Sequence, residues 1–168
     1  MKKLAQIFCL AIAALSLCSC TDKPEVMLTF HVCSPRTAMV GGNMQTVKMP
    51  ITGFEVKMQS DYFMYLSDLV NVDVAEVYDQ FGNPIRGLLF TTDSRGSRRL
   101  YQATAGNQGA QIVLMEGSTP VALRKIDVVM SDGNLFMLTE FPEGVDIFEK
   151  AETYKKSINA AQAIKNRM

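Results

Sequence analysis

Near the start of the chain, His31-Val32-Cys33 places an imidazole and a thiol two residues apart. On an extended segment that spacing puts both on one face, where such a pair can serve as base and nucleophile or as two metal ligands. The plainer reading is an incidental histidine beside a core cysteine, since free Cys is among the most buried residue types. His31 is the only histidine in the sequence. A zinc site needs at least three protein ligands, and nothing here completes one. No metal and no cofactor are therefore expected.

A second grouping is Asp93-Ser94-Arg95-Gly96-Ser97-Arg98-Arg99, which gathers Arg95, Arg98 and Arg99 where a helix should begin. Helix N-termini attract anions, and arginine adds bidentate recognition of phosphate or carboxylate, so an anionic ligand such as a lipid headgroup would fit. The competing reading is a solvated helix face capped by Asp93, and the spacing matches no phosphate-loop pattern. Asp61, Asp68, Asp73, Asp79 and Asp93 are scattered at turns and strand ends, where aspartate serves the backbone. No Gly-x-Ser-x-Gly elbow occurs. No catalytic site is expected. Met39, Met44, Met49, Met58 and Met64 cluster in the N-terminal half. Methionine surfaces adapt to apolar partners, although core filling is the plainer explanation.

The firmest chemistry is at the N-terminus. Met1-Lys2-Lys3 is a basic start, and Leu4 to Leu17 is apolar apart from Gln6 and Ser16. That is the length of a signal-peptide core and too short to span a bilayer. It ends in Leu17-Cys18-Ser19-Cys20, which resembles a lipobox: Leu three before the cysteine and a small residue just before it. Residues 1–19 then read as a removable lipoprotein signal peptide and Cys20 as the lipid-bearing first residue. Cys18 would follow bulky Leu17 and suits the peptidase less well. An ordinary secretory signal with incidental cysteines is the alternative. Stable anchoring needs two membrane signals, which a diacylglyceryl group plus an N-acyl chain provides. Thr21 rather than an aspartate follows Cys20, which in enterobacterial sorting favours the outer membrane; both membranes stay open. Cys9 and Cys18 leave with the signal and Cys20 is lipidated. Cys33 is left alone, with no internal disulfide to form.

Those residues have to be positioned by one domain. The chain has 168 residues, 48% hydrophobic and 20% charged, which excludes wholesale disorder. Its 17 basic and 17 acidic residues give no electrostatic footprint for nucleic acid. Residues 20–25 form a polar, proline-interrupted tether, and residues 26–168 a single domain.

Val26, Leu28, Phe30 and Val32 alternate on one face of a first strand. A loop over residues 34–43 leads to a second strand from Val47 to Met58, bent at Pro50 or Gly53. Ser67 to Val70 has capping chemistry but only a turn's length. Val72, Val74 and Val77 mark a third strand, and Phe81-Gly82-Asn83-Pro84 turns it into a fourth, Ile85 to Thr91. A helix follows from Arg95 to Ala105, stopped by Asn107-Gln108-Gly109. Gln111 to Met115 and Val121 to Met130 are strand-like around Gly117 to Pro120, and Leu135 to Thr139 is the last strand. From Asp146 onward, Ile147, Ala151, Tyr154, Ile158 and Ala161 form one helical stripe. It is expected to pack on the sheet rather than form a coiled coil. The expected fold class is α+β: a largely antiparallel sheet with two main helices packed on it.

The middle of this series resembles a known family. Val77-Tyr78-Asp79-Gln80-Phe81-Gly82-Asn83-Pro84, then Leu88-Leu89-Phe90-Thr91, then Asp93 and Gly96, is similar to the head of the first periplasmic domain of SecD/SecDF translocase subunits. Tyr101-Gln102-Ala103-Thr104, Asn107-Gln108-Gly109, Gln111-Ile112-Val113-Leu114 and Gly117 continue it, so the resemblance covers residues 72–162. The chain departs from it at Glu116, where the family has aspartate before the glycine, and Pro120 is an approximate match. The resemblance implies a ferredoxin-like head and a role touching exported polypeptide. It does not imply translocase activity, because no apolar run after Leu17 approaches the roughly 20 residues of a membrane span. The expectation is a non-enzymatic, lipid-anchored binding module for exported or envelope proteins, facing the periplasm. The alternative is a small-ligand, anion-binding or enzymatic domain using His31 and Cys33 or the segment Arg95–Arg99. A structural envelope component without a ligand is a third reading.

Overall fold

The computed structural model describes residues 23–33 and 43–167. The expectations for the signal peptide, for Cys20 and for the loop over 34–42 lie outside the described residues.

The described chain forms nine strands and two helices. They are β1 (Leu28–Cys33), β2 (Met44–Lys48), β3 (Glu55–Gln59), β4 (Met64–Tyr65), β5 (Leu69–Tyr78), β6 (Pro84–Thr92), α1 (Ser94–Gly106), β7 (Gln111–Glu116), β8 (Thr119–Lys125), β9 (Asn134–Thr139) and α2 (Ile147–Lys165). A 3-10 turn, Leu66–Asp68, joins β4 to β5. Seven strands make one sheet in the order β4-β1-β7-β8-β9-β6-β5, every adjacent pair antiparallel. β2 and β3 pair as a separate hairpin. The fold is α+β.

Alternation on the strands divides the molecule into layers. Leu28, Phe30 and Val32 of β1, with Ile112 and Leu114 of β7 and Leu88 and Phe90 of β6, face the main core. Leu100 and Ala103 of α1 and Ala151, Tyr154, Ile158 and Ala161 of α2 close it from above. Phe30 and Phe90 meet edge-to-face at 5.3 Å in its centre. On the other side of the sheet a smaller core joins Cys33, Val113 and Met115 to Val47, Met49, Val56 and Met58 of the β2–β3 hairpin. β1 and β7 are thus covered on both faces.

Both helices begin on an aspartate that accepts from backbone amides: Asp93 from Arg95 and Gly96, and Asp146 from Phe148. α2 is tied down along its length. Lys150 Nζ donates to Glu116 at 2.7 Å, and the buried Tyr154 hydroxyl donates to the same carboxylate at 2.7 Å. Gln162 Nε2 and Lys165 Nζ both reach the Ser67 carbonyl. No described helix is long and apolar enough to cross a membrane.

Two elements differ from the sequence expectation. The strand expected from Val47 to Met58 is two strands that reverse fully at Met49–Phe54. There Gly53 takes φ 66° and its amide donates to the Met49 carbonyl at 3.1 Å. The strand expected to reach Met130 ends at Lys125. Ile126 and Met130 are buried, so the connection imitates a strand's apolar content. Met130 N donates to the Thr104 hydroxyl of α1, whereas a ladder would require a neighbouring strand.

Candidate functional site

The residues singled out in the sequence are engaged by the fold. His31 and Cys33 do share a face of β1. His31 Nδ1 lies 2.9 Å from the Gln59 carbonyl, which can only accept, so that nitrogen carries the proton. Nε2 lies 3.0 Å from the Thr29 hydroxyl. Both ring nitrogens are therefore engaged, Nδ1 pinning the end of β3 to β1 and Nε2 bonding within β1. Cys33 lies in the smaller core, where burial pushes its thiol up to about 12. That is the environment of an inert cysteine.

The arginines at the start of α1 meet a carboxylate from within the chain. Asp68 is fully buried, and Arg99 Nη1 donates to it at 2.7 Å, with Arg95 Nε 3.7 Å from its other oxygen. Arg99 also lies over the Tyr65 ring at 5.5 Å. Arg98 folds back on the Ser94 carbonyl. Asp93 fills the helix N-terminus and pairs with Lys165. Asp93 caps the helix as the plainer reading expected, and Arg95 and Arg99 face a carboxylate of the protein itself, Asp68. Gly96 makes the docking geometric: a Cβ there would come 2.5 Å from the Asp68 carbonyl.

Another surface has the shape of a binding site. The β2–β3 hairpin covers the outer face of the sheet over β1 and β7 and reaches Leu123 at the edge of β8, leaving the face of β9, β6 and β5 uncovered. Leu123 pairs with Leu138, Leu138 with Gly87, Leu89 with Phe136, and Val77 with Ile85. All of these lie opposite the main core. Leu138 is 44% and Val77 39% exposed. The Phe136 ring lies across Gly87, where a Cβ would come 2.7 Å from its tip.

A break in the sheet deepens this face. β8 and β9 are paired only at Ala122–Thr139 and Leu123–Leu138. Beyond that they diverge, and the Arg124 side chain spans the gap, donating from Nη1 to the Phe136 carbonyl at 3.1 Å. Two open clefts lie along the wedge, of about 440 and 490 Å³, and Arg124 and Phe136 line both. Val77, Ile85, Leu123 and Leu138 give the first its apolar surface, and residues 128–132 wall the second.

Hairpins flank the wedge. Glu140 accepts from the amides of Ile51 and Thr52, fastening the β2–β3 turn beside the first cleft. On the other side the β5–β6 turn is held by Asp79, which accepts from Phe81 N and Asn83 N. These bonds, Asn83's side chain foremost, hold the Asp79 carboxyl below its usual range. Tyr78 and Phe81 at this tip are 69% and 79% exposed, and Ile51 and Phe54 at the opposite tip 62% and 53%.

The sequence reading missed Arg124, Phe136 and Gly87. The residues 77–84 that carry the resemblance do build one flank of the wedge.

With this geometry in view, the fold can be compared with known structures. No family model and no curated protein matches the sequence. Among solved structures the chain is similar to SecDF, a membrane component that enhances protein export, with a TM-score of 0.51 at 14% identity over 83% of this chain. It is also similar to SecDF in a super-membrane-facing form, with a TM-score of 0.53 at 13% identity over the same share. The chain spans 64% of the first structure's chain and 19% of the second's. The domain has a SecD-like fold.

Proposed function

We propose that this protein is a non-enzymatic envelope lipoprotein, anchored through Cys20 and facing the periplasm. It presents a stand-alone SecD-type head that binds exported or envelope proteins. The observation that carries the reading is the uncovered apolar face of β9, β6 and β5 beside the β8–β9 wedge, flanked by hairpins with exposed aromatic tips. The SecD-like fold supports it, because SecDF enhances protein export. His31 and Cys33 lie within packed and hydrogen-bonded surroundings, and Arg95 and Arg99 face Asp68. No observation therefore favours the enzymatic or anion-binding alternative.

The test is chemical crosslinking in intact cells followed by capture of the wild type and of Cys20→Ala. The wild type should have an acylated mass, fractionate with membranes and retain defined envelope proteins. The variant should be unacylated, leave the membrane and lose them. A soluble, unmodified wild type would refute the anchor, and failure to retain any envelope protein would refute the binding role.

A further inference from the structure

We propose that the wedge between β8 and β9 receives an extended apolar polypeptide segment carrying an acidic side chain. The carboxylate meets Arg124, and the apolar neighbours rest on Leu123, Phe136 and Leu138. This names the partner class for the binding role proposed above and rests on that reading.

Of the charged side chains lining the two clefts, only Arg124 leaves a buried polar atom without a partner. Asp127 is paired with Lys125 at 3.0 Å, Glu140 takes donors from Ile51 and Thr52, and Asp132 takes the backbone and side-chain amides of Asn134. Arg124 has the Phe136 carbonyl on Nη1, no hydrogen-bond partner on its buried Nε, and no ion pair among the described residues. The guanidinium is also held in place across the wedge. Part of its hydration is already lost, so a carboxylate arriving there gains a charge-assisted bond at reduced cost in arginine desolvation and ordering. A lysine or arginine placed against the guanidinium would meet its like charge and bind less well than a carboxylate there.

The shape of the wedge selects an extended chain over a compact ligand. Each cleft is of small-ligand size, roughly 300–1,000 Å³. Both are open along the sheet, and Arg124 and Phe136 are shared between them. A segment running lengthwise covers both, with alternate side chains directed at the floor.

The experiment is fluorescence anisotropy of short labelled peptides titrated with the full chain. The peptides alternate Leu and Ser around a central Glu, Gln or Lys. The Glu peptide should bind about tenfold tighter than the Gln peptide, with the Lys peptide weakest. Arg124→Met should erase that order while retaining weak binding of all three. Leu138→Asp keeps Arg124, supplies an internal carboxylate on a partly exposed position, and should abolish the Glu preference, so the test survives a misfolded Arg124→Met. Equal affinity for the three peptides overturns the proposal. So does binding of dodecanoate with no binding of any peptide. If no peptide binds while envelope proteins are still captured in cells, the acidic-segment proposal fails and the protein-binding reading stands.

Discussion

Cys33 shows how packing decides the chemistry of a residue type. Its thiol is 4% exposed among Met49, Val56 and Met58, and desolvation pushes its pKa from 9.0 to about 12. The folded state thus favours the protonated thiol. Its stabilising effect is complete below the unfolded pKa and declines as pH rises from 9.0 toward about 12, by about 1.4 kcal/mol per unit. Tyr154, also raised by burial and by Glu116, adds in the same direction from higher pH. Stability measured by denaturant titration should therefore fall steeply between pH 9 and 10, and Cys33→Ala should flatten that stretch. An unchanged slope in the variant would contradict the buried protonated thiol. That His31 and Cys33 share a face was legible from their spacing. That Cys33 packs as a core residue was legible from its type, whereas the bond from His31 to Gln59 was not, because β3 reaches β1 only through folding. Arg124 was illegible for a similar reason. In sequence it is an ordinary charge near a strand end, and it gains meaning where β8 and β9 diverge.

At the level of elements, the helices and hairpins were legible where local chemistry marks them. Asp93 caps α1 where a cap was expected, α2 begins where the helical pattern does, and its buried stripe follows the helical period. The β2–β3 reversal was obscured because Val47, Met49, Val56 and Met58 are apolar on both sides of a turn lacking a strong hairpin pair. Two glycines in α1 separate packing from propensity. At Gly96 a Cβ would lie 2.5 Å from the Asp68 carbonyl and 2.8 Å from the Thr92 Cβ, while at Gly106 it would meet nothing within 4 Å. Gly96→Ala should cost about 2 kcal/mol by pushing α1 off the 3-10 turn. Gly106→Ala should be neutral or stabilising, by up to about 1 kcal/mol. Thermal unfolding of the two variants checks this, and equal effects would show that Gly96 is not a packing contact.

At the scale of the whole molecule, the α+β class could be read from alternation and caps, and the SecD likeness from the order of turn residues between 77 and 117. The uncovered face could not, since it depends on a small hairpin shielding β1 and β7 while β8 and β9 splay apart. The central claim is that this face contacts other envelope proteins. The most direct measurement is site-specific photo-crosslinking in intact cells, with the photoreactive residue placed at Leu138 on the uncovered face or at Tyr101 on α1. Both positions are about half exposed, at 44% and 50%, so accessibility alone does not distinguish them. The account predicts discrete adducts with envelope proteins from position 138 and none from position 101. Adducts from both positions alike, or from neither, would contradict it.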